Sequence, residues 1–259
     1  MNDAARVADY DRVADGYDHR YSFLRYDGVR QTLIGFLGTD GPRVLEVGCG
    51  TGHWLRAMAG RPSLLAGIDF SAGMLAKAKA HDAGARIVRA RAEDLPWADA
   101  AFDRLFCVNA LHNFSDRLRF FAEARRVLRP GGALLTIGKD PHAERDDWWV
   151  YDYFPETVGI DRARFAPVRI LRGELARAGF DWAESSEADR LEAVQPASDA
   201  LVDGTVTPAF TSQLTVLTSE EFDRGVARLR AANDAAAGGL QLITDFRLYA
   251  VVGRVAPSP

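Results

Sequence analysis

An α/β fold built on a parallel sheet is the class this sequence predicts, and two observations predict it. The run Val44-Leu45-Glu46-Val47 ends in glycines on alternate residues, Gly48, Gly50 and Gly52. This is the pattern of a buried parallel strand turning sharply into a helix over a ligand that lies against bare backbone. A second apolar run, Leu64 to Ile68, closes on Asp69. In a βαβ unit an acid about 20 residues past the glycines accepts hydrogen bonds from ribose hydroxyls.

The remaining elements follow in order. Residues 6 to 37 read as helical on the spacing of Tyr10, Val13, Tyr17, Tyr21, Leu24, Leu33 and Phe36, with Asp15-Gly16 as a break. Ser71 to His81 is a helix with Ser71 as N-cap and Met74, Leu75 and Ala78 inward. Ile87-Val88 is a third strand and Ala101 to Val108 a fourth. Beyond the fourth strand lies Asn109 to Phe114, where an open α/β sheet brings cofactor and substrate together, so His112 stands where chemistry is expected.

A helix over 117–128 turns Phe120, Phe121, Ala124 and Val127 inward and presents Arg117, Arg119, Arg125 and Arg126, with Arg129 beyond, as a solvated face. Pro130-Gly131-Gly132 feeds a fifth strand over 133–137, and the helix after Gly173 stops on Gly179. Leu240 to Val255 is the last strand, with Trp182 to Leu191 as its partner.

Two insertions remain, 140–169 and 195–239. The first carries Trp148, Trp149, Tyr151, Tyr153 and Phe154, more aromatics than a one-sided helix can bury, so some of them are expected at a cavity or an interface. The second holds Phe210 to Leu214, including Gln213, and an amphipathic helix over 219–232. Together they read as a cap over an acceptor pocket, with core and dimer contacts as the alternative.

The glycine spacing bears on the ligand. A dinucleotide turn reads G-x-G-x-x-G and holds a pyrophosphate at a helix N-terminus; here the glycines run G-x-G-x-G and Glu46 precedes them. A carboxylate there repels a diphosphate but suits a ligand with an ammonium and a sulfonium. The ligand expected is S-adenosylmethionine, and a nicotinamide oxidoreductase is disfavoured on the same grounds.

With these residues on the page, the chain resembles the class I S-adenosylmethionine-dependent methyltransferases, in the small-molecule branch related to the ubiquinone and menaquinone methyltransferases. The resemblance covers roughly residues 10 to 140. It rests also on Tyr10-Asp11-Arg12-Val13-Ala14-Asp15-Gly16-Tyr17-Asp18, on Ala92-Glu93-Asp94-Leu95-Pro96-Trp97 and on Leu128-Arg129-Pro130-Gly131-Gly132.

The resemblance implies a Rossmann-like, seven-stranded, mostly parallel sheet with helices on both faces, an antiparallel last strand and helical lid insertions. It implies one methyltransferase domain over 1–259, with a lid at 1–40, a cofactor-binding core at 41–139, and 140–169 with 195–239 as cap. Around the cofactor it places Tyr17, Glu46, Gly48, Cys49, Gly50, Gly52, Asp69, Phe70, Met74, Ala92, Glu93 and Val108. Arg91 stands where relatives carry Asp or Asn. Trp148, Trp149, Tyr151, Tyr153 and Gln213 are the expected acceptor contacts, and His112, with His142 as second choice, the expected base or orienting group. The reaction implied is methyl transfer to a small, aromatic or lipophilic acceptor by in-line displacement. The alternative is an S-adenosylmethionine-binding protein with a non-methylating catalytic or regulatory role, since a cofactor site alone carries no transfer chemistry.

Bulk properties agree with this class. With 32 basic against 36 acidic residues in 259 and a net charge of −4, the surface offers no general attraction to nucleic acid. No apolar run reaches the roughly 18 residues of a membrane span, and Met1 to Val13 lacks a signal-peptide core. Two cysteines, Cys49 and Cys107, make no disulfide framework and point to a reducing cytoplasm. Lysine occurs only at Lys77, Lys79 and Lys139, an arginine bias of the kind GC-rich bacterial genomes give. No metal and no membrane partner are expected, and a monomer or homodimer is.

Overall fold

The computed structural model describes residues 6–81 and 83–258, so residues 1–5 of the expected lid lie outside the described residues. Eight strands form one sheet in the order β3-β2-β1-β4-β5-β8-β6, with β7 on the other side of β8. Their ranges are β1 Arg43–Val47, β2 Leu64–Asp69, β3 Arg86–Arg89, β4 Phe102–Val108, β5 Leu128–Gly138, β6 Asp147–Trp148, β7 Trp182–Pro196 and β8 Gln241–Arg254. β1 to β5 pair in parallel, and β8 runs antiparallel to β5, β6 and β7. The expected antiparallel end of a mostly parallel sheet is therefore present, with two-residue β6 as an addition.

β1 is buried on both faces: Val44 joins the cluster containing Leu33, Leu55, Met58 and Phe106, while Leu45 and Val47 join the one containing Phe102, Phe120, Phe121, Leu134 and Leu175. Truncating a buried phenylalanine such as Phe106 to alanine costs about 3–5 kcal/mol, so this two-sided core holds the strand ends rigidly.

Several boundaries differ from expectation. The N-terminal helical segment is split into Tyr10–Val13, a 3-10 turn at Tyr17–His19, Arg20–Phe23 and Asp27–Leu37. The first break falls at the expected Gly16, whose backbone packs so closely on Ala209 that a Cβ would lie 2.9 Å from it. β7 runs to Pro196 rather than Leu191, paired with β8 throughout, so Gln195 is strand and the second insertion starts after it. The arginines of helix Arg117–Val127 are not a merely solvated face. Arg126 donates to the carbonyls of Leu95 and Trp97 and to Glu123, Arg119 to the Glu93 carbonyl, Arg117 to Glu174 and Arg125 to the Gly179 carbonyl, while Arg129 pairs with Asp103. Arg119 and Arg126 staple the loop after β3 to this helix, while Arg117 and Arg125 hold the segment from Glu174 to Gly179.

The aromatic run also differs. Trp148, Trp149 and Phe154 are all buried, because the two insertions pack on each other as well as on the sheet. Trp149 contacts Phe210, and Phe154 lies so close to Gly225 that a Cβ there would come within 2.1 Å of the ring. Among the described residues, no helix is long and apolar enough to cross a membrane.

Candidate active site

Several cavities open at the C-terminal ends of the parallel strands, where such sheets place ligands, and two of them share a wall. The outer one, about 310 Å3, lies between the glycine turn, the ends of β2 and β4, the loop after β3 and the N-terminal segment. The volume falls in the usual ligand range of roughly 300–1,000 Å3.

Its floor is backbone by necessity. Gly48 has φ +75° and a Cβ there would sit 2.4 Å from the Ala110 Cβ, while Gly50 has φ +52° beneath the Tyr17 ring. The two oxygens of Asp69 accept from the amides of Gly50 and Ser71, both at 2.9 Å. A carboxylate has about four acceptor positions, so Asp69 fixes the turn and keeps lone pairs for a hydroxyl-bearing ligand. Burial raises its pKa, opposed by those amides.

Phe70 and Arg91 form the outer wall, the Arg91 guanidinium 4.8 Å from the Phe70 ring centroid. Burial tends to raise the Glu93 carboxyl, but its bonds to the Ser115 hydroxyl and the Ser115 and Asp116 amides prevail and hold it below the ordinary range. Met74, Ala92 and Val108 complete the apolar lining.

The N-terminal segment roofs this cavity through three aspartates. Asp11 accepts from the Ser71 hydroxyl and, at 2.8 Å, the Gly73 amide; Asp15 pairs with Lys77 at 2.6 Å; Asp18 accepts from the Thr51 hydroxyl. Tyr10 and Tyr17 meet edge to face at 5.9 Å.

Behind Tyr10, Tyr17 and Asn109, which line both cavities, lies an inner chamber of about 40 Å3. It is assembled from segments far apart in sequence. The roof contributes Arg20 and Tyr26, the strand ends His112 and Lys139, the first insertion Trp148 and Phe165, the second Ser212 and Gln213, and β8 Phe246. His112 stacks on Phe165 at 4.0 Å, and burial, then Arg164 and Arg20, holds its imidazole well below the ordinary pKa, hence neutral at pH 7. Arg164 donates to Asn113 Oδ1 at 2.9 Å, which turns the Asn113 amide nitrogen toward the Tyr10 hydroxyl at 3.0 Å and His112 Nε2 at 3.3 Å. His112 Nε2 is thus an acceptor in this arrangement.

Not every residue expected at a site reaches a cavity. Glu46 is 1% exposed beneath the turn, does not line the outer cavity, and has an Oε2 with no hydrogen-bond partner. Its pKa is raised well above the ordinary value by burial and then by Asp69. Cys49 points into the core beside Gly67, and Gly52 packs on Ala78, so both shape the turn from behind.

Away from the turn, His142 is exposed, with Nε2 2.9 Å from the Phe165 carbonyl oxygen, and lines neither cavity. Trp149 is core. Tyr153 packs against the core, and Tyr151 donates to Asp161 at 2.7 Å, the carboxylate that also accepts from Gln213 at 2.8 Å. Of the expected acceptor contacts, Trp148 and Gln213 line the chamber.

Sequence reasoning passed over Arg20, Asn109 and Lys139. Asn109 and Lys139 sit one residue past β4 and β5, a position that was itself the signal, and Asn109 has φ +51°, a left-handed conformation asparagine tolerates. Arg20 gave no signal.

Comparison with known proteins bears on the segment that builds the outer cavity. Residues 45–136 match the family model described as "Methyltransferase domain". That segment, about a third of the chain, is similar to methyltransferase domains. Over 133 residues it is 37% identical to the demethylmenaquinone methyltransferase of Tropheryma whipplei, a match covering 49% of this chain and 56% of that protein. The chain thus spans little more than half the length of this curated relative.

The likeness in fold extends further than the sequence match. The structure of the YcgJ protein of Bacillus subtilis superposes with a TM-score of 0.64 over 90% of this chain and all of that one, at 16% identity. Phosphoethanolamine N-methyltransferase 2 of Haemonchus contortus, solved in complex with S-adenosyl-L-methionine, does so at 0.59 over 96% of this chain and 57% of that one, at 19% identity.

Proposed function

We propose that this chain transfers the methyl group of S-adenosylmethionine to a small-molecule acceptor with an aromatic or lipophilic body. The observation that carries the reading is that the two cavities share one wall, Tyr10, Tyr17 and Asn109, so that two ligands can meet there.

The outer cavity suits the donor: a glycine floor that a Cβ would fill, lone pairs on Asp69, an acidic Glu93 and a flat apolar lining at Met74, with no pyrophosphate-type glycine spacing. When bound, S-adenosylmethionine supplies a methyl group already activated on a sulfonium. Gly48, Gly50, Asp69, Phe70, Met74, Ala92, Glu93 and Val108 would hold it, with Tyr17 closing the site against water.

The chain's remaining work is to orient an acceptor behind Tyr17, and Trp148, Phe165 and Phe246 offer apolar walls for its body. Positioning of this kind supplies roughly 7–11 kcal/mol. For an acceptor that must lose a proton, His112 Nε2 is the receiving atom, contributing about 10²- to 10⁴-fold. In this reading residues 1–40 are the lid, 41–139 the cofactor core, and 140–169 with the second insertion the cap.

The test is a calorimetric titration with S-adenosylmethionine, NAD+ as control, repeated on Asp69→Ala. Binding at micromolar concentrations that weakens at least 30-fold in the variant is expected, followed by S-adenosylhomocysteine release with aromatic or lipophilic acceptors. Tight binding with no release across such a panel would move the assignment to the non-methylating alternative. Saturable NAD+ binding without S-adenosylmethionine binding would overturn both.

A further inference from the structure

We infer that the acceptor carries an oxyanion, and that Arg20 receives it inside the chamber. The inference rests on the reading of that chamber as the acceptor site and adds the charge of its ligand.

Arg20 is 8% exposed, yet no carboxylate lies within ion-pair distance of it among the described residues. Its Nε donates to the Tyr17 carbonyl at 3.2 Å, its guanidinium lies 3.7 Å from the Tyr17 ring centroid, and its Nη2 has no hydrogen-bond partner. After burial, the ionisable groups that act on it most are the phenols of Tyr17, Tyr21, Tyr26 and Tyr10, none of them an anion at neutral pH.

The other cations nearby are matched. Lys139 has Asp146 at 3.1 Å, and Arg164 has Asp161 at 3.7 Å. Asp18, also in the roof, accepts from Thr51 and lies 3.7 Å from Arg56. Arg20 is therefore a buried positive charge without a counter-charge, a costly arrangement that folding alone does not reward.

The hydrogen-bond inventory points the same way. Two residues lining the chamber leave a buried donor without an acceptor: Arg20 Nη2 and Trp148 Nε1. The Gln213 amide, by contrast, is satisfied at both ends by Asp161 and Thr211. A surplus of donors beside an unmatched guanidinium is complementary to a group that only accepts and is negatively charged, as a carboxylate or phosphate is. The neutral His112 adds no competing charge.

The experiment titrates three acids, benzoate, octanoate and phenyl phosphate, each against an uncharged counterpart, benzamide, octanamide and benzyl alcohol. It uses the full chain saturated with S-adenosylhomocysteine, whose binding is measured first. At least one acid is expected to bind at least tenfold more tightly than its counterpart. Arg20→Gln should bring the ratio to within twofold of one, and Arg20→Lys should keep part of it.

Arg20→Gln should also melt at or above the wild-type temperature, because it removes an unmatched charge; a merely structural Arg20 would lower it. No saturable acid binding, equal binding of acid and counterpart, or a preference that survives in Arg20→Gln would each overturn the inference. If S-adenosylhomocysteine itself fails to bind, the donor reading falls, and the same titrations on the unliganded chain still decide for or against Arg20.

Discussion

The two cavities on either side of Tyr17 have opposite electrical character. The outer one is lined by backbone and by the acids Asp69, Glu93 and Asp11, its one facing cation, Arg91, lying on Phe70. The inner one is lined by Arg20, Lys139 and a neutral His112, its acids standing one residue further back. The outer cavity is built wholly from segments within residues 7–115, the inner from segments that reach as far as residue 248. Where a charge is needed next to bare backbone, sequence can announce it; where it comes from converging insertions, it cannot.

The largest test of the contrast is Gly48→Val. A side chain there meets Ala110 and must adopt φ +75°, a conformation that costs a β-branched residue about 1–2 kcal/mol before any clash. Loss of S-adenosylhomocysteine affinity by more than 100-fold in calorimetry is expected, with acid binding in the inner chamber retained. Simultaneous loss of both would show that the cavities are one unit and break the comparison.

A second effect is smaller and belongs to the inner side. Lys139→Met leaves Asp146 buried without its cation, and urea unfolding should show a loss of about 3 kcal/mol, much of it restored by adding Asp146→Leu. Failure of the double variant to recover would mean that the cage of Trp148, Tyr151 and Phe246 around Lys139, with ring centroids at 4.0 to 4.6 Å, holds the ammonium more strongly than the carboxylate does.

The smallest concerns Glu46, beneath the outer floor. Burial and Asp69 raise its folded pKa above the ordinary 4.5, so its contribution favours the fold in acid and is lost as pH rises past that value. Glu46→Gln should therefore melt a few degrees higher than wild type at pH 8, the gain shrinking to nothing below about pH 4.5. A gain that persists in acid would assign the effect to packing. The matching Arg20→Gln difference should not vary with pH, since a guanidinium does not titrate in this range.

Legibility followed the same division. The sheet, its antiparallel last strand and the positions of Gly48, Gly50 and Asp69 could be read because each depends on local geometry: a left-handed turn that only glycine makes cheaply, and a carboxylate at a strand end. Glu46 was placed correctly on its strand, but alternation along β1 turns it beneath the turn and out of the lining of the outer cavity. Trp149 was expected at the acceptor and is core, because a single element was considered where two insertions sandwich it, while Trp148 of the same run does line the chamber. Arg20 could not be read at all, for nothing in its sequence neighbourhood says that its partner is missing.

The fastening of the roof has a kinetic meaning. Asp11 and Asp15 are exposed, and with Asp18 they tie residues 9–18 down by polar contacts, beside the packing of Ala14, Gly16 and Tyr17; exposed contacts of this kind each add little. The cap insertions are held instead by buried phenylalanines and tryptophans. A flap fastened largely by exposed polar contacts is expected to lift more readily than the cap, which would let ligands pass under the N-terminal strap. Raised ionic strength is then expected to loosen the doorway before it loosens the house.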